Sequence, residues 1–288
     1  MRFEGLLPWM LRAAWAALPF VAGPGLADAL DPWDQPIRTV ASVALWAGWA
    51  LVLVATLVPH PIALTVLRIG APAGLVASVA AALDGARAPA AVVLWLVILA
   101  VAFLPETAMT YVNGPAYPNE RRYPLRVPGP LLLGPLEIAW AVVVGAPVAT
   151  AILLADERWV PAAFVGLIGV PAAFLLARAM HGLSRRWVVF VPAGLVLHDT
   201  SALVDPVLFQ KPVIESLAPA PAGSDSLDLT LGALGLALEL QLTEKVPMVL
   251  SRPGNRLGES GSSARMLFTP TRPGAVLSEA AQRGLPAG

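Results

Sequence analysis

Residues 37–58, IRTVASVALWAGWALVLVATLV, form 22 consecutive positions with a single charge, Arg38. A stretch of this length and apolarity matches the roughly 20 helical residues needed to cross the hydrocarbon of a bilayer. Five further apolar blocks follow the same pattern, giving approximate spans at 6–25, 37–58, 61–83, 88–105, 131–154 and 159–180. Such repetition restricts the chain to a helical polytopic membrane domain, because in lipid every backbone amide must be satisfied within the protein. Composition agrees: 57% of the 288 residues are hydrophobic and 13% charged, against about 25% charged in a soluble domain.

The first block is the least regular, with Arg12, Pro8, Pro19 and Gly23–Gly25 interrupting it. Arg12 within its apolar part argues against a cleaved signal peptide, so six spans is the expected count and five the alternative. Orientation follows from Lys and Arg near the span ends. Segment 26–36, LADALDPWDQP, has three aspartates and no base, while DGAR (84–87) and ADERW (155–159) carry one arginine each. Segment 106–130 holds Arg121, Arg122 and Arg126, and the exit from the last block holds Arg178, Arg185 and Arg186. With six spans the arginine-rich segments and both termini fall on one side, expected to be cytoplasmic at the cell membrane.

The formal net charge of zero gives no basic field for nucleic acid. The absence of cysteine removes disulfides, thiolate nucleophiles and cysteine-based metal sites. Only two of the 19 Lys+Arg residues are lysines, Lys211 and Lys245, a bias typical of a high-GC, actinobacterial genome.

From residue 185 the pattern changes to short β runs. WVVFVPAGLVLHD predicts a hairpin about Pro192–Gly194, and further strands are expected at 207–211, 213–218, 226–231, 235–242, 246–251 and 263–269. Leu227, Leu229 and Leu231 fall on one face of such a strand. A helix over 272–283 closes the chain, with Thr271 or Thr269 as N-cap, Pro273 in the first turn and Gly284 as the stop. The expected division is thus a helical domain, 1–184, and a cytoplasmic β-rich barrel or sandwich with a C-terminal helix, 185–288. That second segment, ending in LFTPTRPGAVLSEA, resembles the pleckstrin-homology-like (PH-like) domains of bacterial membrane proteins. The remainder resembles actinobacterial multi-pass membrane proteins without an assigned activity. The resemblance implies an interaction or scaffolding module and carries no catalytic residues.

Ionisable groups inside apolar blocks are costly and mark sites of interest. Arg12, Arg68 and Glu137 each lie six or seven residues from the cytoplasmic start of a block, roughly 10 Å deep at 1.5 Å per residue. Two readings are open: an Arg68–Glu137 pair with Arg12 nearby, lining a polar cavity, or separate side chains reaching for headgroups. The loop arginines Arg121, Arg122 and Arg126, with Arg185 and Arg186, are candidates for headgroup contact and topology. Trp187 reads as an interfacial anchor. His198-Asp199 echoes a metal-dependent motif, but the three histidines (His60, His181, His198) are scattered and the pair ends a strand, where Asp caps turns. GNRLGESG (254–261) lacks the Lys-Ser/Thr of a phosphate loop and reads as a flexible connector. Ser184, Ser201 and Ser260 have no nucleophile context. The expectation is therefore a non-catalytic membrane scaffold, interaction or regulatory protein without cofactor or metal, whose partners are the bilayer and a protein met by the C-terminal domain. The alternative is a small-molecule or lipid transporter using the Arg12/Arg68/Glu137 layer.

Overall fold

The computed structural model of the chain describes residues 2–85, 89–252 and 254–288; Arg87 and the start of the expected span at 88 lie outside them. The chain divides into a helical unit, Met1–Gly114 with Glu137–His181, and a β unit, Pro115–Leu136 with Gly182–Gly288.

The helical unit comprises α1 (Arg2–Val21), α2 (Gly23–Leu30), α3 (Gln35–Leu57), α4 (Pro61–Leu83), α5 (Pro89–Phe103), α6 (Pro105–Asn113), α7 (Pro135–Ala155), α8 (Trp159–Phe164) and α9 (Val170–Leu183). Among the described residues five stretches are long and apolar enough to cross a membrane: Leu6–Leu30, Gln35–Leu57, Pro61–Leu83, Pro135–Ala155 and Trp159–Leu183. A sixth forms if α5 and α6, bent by 58° at their junction, count as one. The bend sits at Leu104-Pro105, where proline has no N–H for the helical ladder. Residues 26–30, expected in a loop, are helical in α2. Between α8 and α9 the helix widens into a π turn over Val165–Gly169, just ahead of Pro171, a common way to absorb a proline.

Inward faces follow the helical period. Leu11, Trp15, Leu18 and Ala22, and on α5 Ala91, Trp95, Ile98 and Ala102, recur at intervals of three or four and are buried. Reciprocal hydrogen bonds tie α1 to α3, with the Trp15 indole donating to Trp49 O and the Trp49 indole to Trp15 O, each at 3.0 Å. The outward faces are equally apolar: Leu83, Ile138, Leu167 and Phe174 are exposed, and no residue of α7 is buried.

The β unit contains β1 (Arg121–Pro124), β2 (Trp187–Val191), β3 (Gly194–His198), β4 (Val207–Gln210), β5 (Ile214–Pro219), β6 (Leu227–Asp228), β7 (Leu238–Arg252), β8 (Asn255–Phe268) and α10 (Pro273–Gln282). Among the described residues two four-stranded sheets form, in the orders β1-β2-β3-β4 and β5-β7-β8-β6. Isolated bridges Leu125↔Pro270 and Leu203↔Leu250 join segments flanking them. Phe190, Leu195, Phe209, Leu240, Met266 and Phe268 from both sheets, with Val276 of α10, are fully buried. The hairpin about Pro192–Gly194 forms as expected, with Trp187 opposite His198 and Val191 opposite Gly194.

Three expectations are corrected. The first is the division at 184/185: segment 106–130 begins in α6, and Arg121–Pro124 adds an edge strand antiparallel to β2, Arg122 opposite Val189. The domain boundary therefore shifts, and 115–136 belongs with the C-terminal residues. Secondly, GNRLGESG lies largely in β8, which pairs with one continuous β7 where two strands were expected; register shifts at Gln241/Val246 and Leu250/Arg252 absorb the irregular TEK segment and the turn. Thirdly, β6 stops at Asp228, so Leu231, with φ of 55°, leaves the strand that its alternation predicted. The terminal helix begins at Pro273 with Arg272 at the N-cap and no side-chain cap, whereas Thr271 Oγ1 donates to Pro124 O. Gly284 ends the helix as expected, at φ 71°, with Leu285 N donating to Ala280 O in the manner of a Schellman stop.

Candidate functional site

The three charges of the predicted layer have separate occupations. Arg12 Nε donates to Thr56 O at 3.0 Å and Nη2 to Leu57 O at 3.4 Å, the last carbonyls of α3, which have no onward helical amide. Its guanidinium also lies 4.8 Å from the centre of the Trp9 ring. Arg68 Nε donates to Ala102 O at 3.4 Å and stacks over Phe103, at the end of α5. There Pro105 stops the ladder, and Thr107 Oγ1 satisfies Val101 O at 2.6 Å. Both arginines thus cap helix C-termini, where a cation also meets the negative end of the helix dipole. Glu137 is exposed in the first turn of α7. Among the described residues no ion pair joins it to Arg68 or Arg12, so the pair expected as one reading does not form. A clue was present in the sequence: a proline closing an apolar run frees carbonyls that need donors from elsewhere.

In the β unit the central polar feature is Arg186–Asp199. Arg186 Nε and Nη2 bind Asp199 Oδ1 and Oδ2, both at 2.7 Å, with both side chains almost fully buried. Arg186 Nη1 donates to Arg126 O at 2.7 Å, and Asp199 Oδ1 also accepts from Ser201 N at 3.0 Å. Bidentate geometry with the remaining donors satisfied is what a buried pair requires. Arg186 is therefore internal, and does not lie at the headgroups as expected. Trp187 is buried likewise, stacked on His198 at 5.1 Å between ring centres, with the Arg122 guanidinium 5.3 Å from the indole. His198 Nδ1 donates to Arg185 O at 2.7 Å, which makes His198-Asp199 a structural corner.

Of the other basic candidates, Arg122 pairs with Glu120 at 2.9 Å, while Arg121, Arg126 and Arg185 are exposed. The lead-in to β1 is fixed to α10. Tyr123 Oη donates to Glu279 at 3.0 Å, Arg283 Nε binds Glu279 at 2.6 Å, and Arg283 Nη1 donates to Asn119 O at 3.0 Å. Burial, with the Glu279 carboxylate beside it, pushes the Tyr123 phenol up to about 12. A site that the sequence did not reveal is Glu239 of β7, 4% exposed. It accepts from Ser226 Oγ, from Gln241 Nε2 at 3.2 Å and from Ser224 Oγ at 2.9 Å. These bonds, the one from Ser226 first, hold its carboxyl below the ordinary 4.5 against the opposing effect of burial. Both serines lie in the 220–226 segment, so Glu239 pins that loop over the sheet.

Among the described residues no group of three His, Cys, Asp or Glu is placed to hold a metal ion. The histidines serve separate local roles: His60 caps α4 through Ile62 N and His181 meets Thr65 at 3.0 Å. Among the described residues the β unit exposes charges of both signs, such as Asp205, Glu215, Arg126 and Arg185, together with large apolar side chains such as Leu133 and Leu257. Comparison with protein-family models, with curated proteins and with solved structures finds no match to the chain.

Proposed function

We propose that the chain is a multi-pass protein of the plasma membrane, with both termini cytoplasmic, acting without catalysis through its β unit as a scaffold, interaction or regulatory protein. The observation that carries this reading is the pairing of β1 with β2. Strand β1 lies before α7 and β2 after α9, and they share one sheet, so they occupy the same side of any bilayer. Two candidate spans, Pro135–Ala155 and Trp159–Leu183, separate them, and two crossings return the chain to its starting side. The arginine-rich segments coincide with this shared side, which by the charge bias of connecting loops is the cytoplasm. Helices apolar all round, such as α7, fit a lipid surround.

Two four-stranded sheets closed by a terminal helix support the PH-like reading. The chain crosses between the units three times, at 114/115, 136/137 and 181/182. The transporter alternative has less support, since Arg12 and Arg68 are engaged by helix-end carbonyls and Glu137 stands apart.

Photo-crosslinking in native membranes tests the proposal, using probes at Glu244 and Leu257 of the β unit and at Ile138 of α7, all exposed. Discrete protein adducts from the β-unit positions and lipid adducts from Ile138 are expected. Absence of protein adducts from both β-unit positions would remove the interaction reading.

A further inference from the structure

Two loops of the β unit each expose leucines and lie against one another. In the first, 129–134, Leu132 and Leu133 are 43% and 86% exposed; in the second, 231–237, Leu234 and Leu236 are 70% and 51% exposed. Their contact leaves no room for side chains. A Cβ on Gly129 would collide with Gly232 O, and one on Gly235 would lie 2.7 Å from Arg126 Nε. The second loop is a built turn: Thr230 N donates to Asp228 Oδ1 at 2.7 Å, Gly232 N to Thr230 Oγ1 at 3.2 Å and Ala233 N to Thr230 O at 3.1 Å. Leu231 and Gly232 take φ of 55° and 68° to close it. The hydrogen bonds fix the backbone, yet four large apolar side chains remain uncovered with the exposed guanidinium of Arg126 beside them.

We infer that these two loops form a membrane-docking wedge, in which Leu132, Leu133, Leu234 and Leu236 enter the bilayer surface and Arg126 meets lipid phosphate. The inference rests on the membrane reading above, and chain continuity selects lipid as the occupant. Leu133 precedes Pro135, the first residue of α7, by two positions, a reach of at most about 7 Å. Gly129, which abuts Gly232, is six positions away, at most about 20 Å. A helix entering hydrocarbon at its first turn holds both loops near the headgroup level. Leucines flanked by an arginine suit that level, where apolar side chains insert and cations pair with phosphate. The wedge makes the β unit a surface-seated domain through a loop distant in sequence from every apolar helix.

The chain has no cysteine, so single-cysteine spin labels report without background. Labels at Leu133, Leu234 and Leu236, a water-exposed control at Asp225 and a lipid control at Ile138 would be read in full-length protein reconstituted into phosphatidylcholine/phosphatidylglycerol vesicles. Preferential collision with oxygen over a water-soluble nickel chelate at 133, 234 and 236, as at 138 and opposite to 225, is the expected result. Nickel accessibility at 234 and 236 with lipid contact retained at 138 overturns the wedge alone. Nickel accessibility at 138 as well overturns the membrane reading with it. Labels at 234 and 236 shielded from both reagents and dipolar-broadened would place a second copy on the patch, and would equally overturn the lipid assignment.

Discussion

Replacing Asp199 with Asn leaves the shape of the Arg186 site intact and removes the charge that Arg186 faces. The guanidinium is 2% exposed and takes both carboxylate oxygens at 2.7 Å, so the cation would stay in the interior without a counter-charge, with one amide oxygen and Arg126 O as its acceptors and an amide N–H facing its other donor. Breaking one side of a buried pair costs about 3–5 kcal/mol. At about 1.4 kcal/mol per tenfold, this raises opening of the surrounding sheet roughly 10²- to 10³-fold or more. Hydrogen exchange of peptides covering β1, β2 and β3, measured on the full-length protein in detergent, reads that factor directly. The double variant Arg186→Met with Asp199→Leu should cost less than either single change, about 1–2 kcal/mol, from the unpaired Arg126 O and Ser201 N. An exchange change under about threefold in Asp199→Asn, or a double variant as costly as the sum of its singles, would refute the assignment of this pair as the frame of the first sheet.

The depressed Glu239 carboxyl predicts a signed pH effect. A group whose folded pKa lies below its unfolded value stabilises the fold above the unfolded pKa, and that contribution is lost as pH falls through the folded one. Stability of the β unit should decline below about pH 4.5, and Glu239→Gln should flatten that part of the thermal-melt profile. Arg68→Met should cost about 1 kcal/mol by stranding Ala102 O, and combined with Glu137→Gln the two effects should add within about 0.5 kcal/mol; a larger coupling in detergent melts would restore the ion pair. Impermeant thiol reagents should label Tyr117→Cys and Asp225→Cys from the same face of the membrane, since both segments belong to the β unit; opposite faces would contradict the β1–β2 pairing. A tag at the N-terminus should appear on that face too if α5 and α6 make one crossing, and on the other if they make none.

Some of this structure was legible in residue order alone. Apolar period and length located the long helices, because hydrocarbon imposes a minimum length that few other contexts require. The hairpin about Pro192–Gly194 and the stop at Gly284 were legible for a similar reason: turn chemistry and a left-handed residue are local constraints. With that hairpin centred, Arg186 also falls opposite Asp199, one step beyond the Trp187–His198 pair, and the buried bridge was within reach of the register. What residue order did not determine was which segments meet across long separations. RRYP reads as a basic stretch of loop, and becomes a strand only because the edge of β2 offers it unpaired amides. Arg12 and Arg68 read as partners for a carboxylate, yet capping them onto Thr56 and Ala102 depends on where neighbouring helices end. Glu239 lies in the strand expected at 235–242, and its role comes only from the serine loop that folds over it. Periodicity and turns are properties of neighbours in the chain, whereas these three outcomes are set by groups brought together only when the chain packs, and that meeting decided the role of each charge.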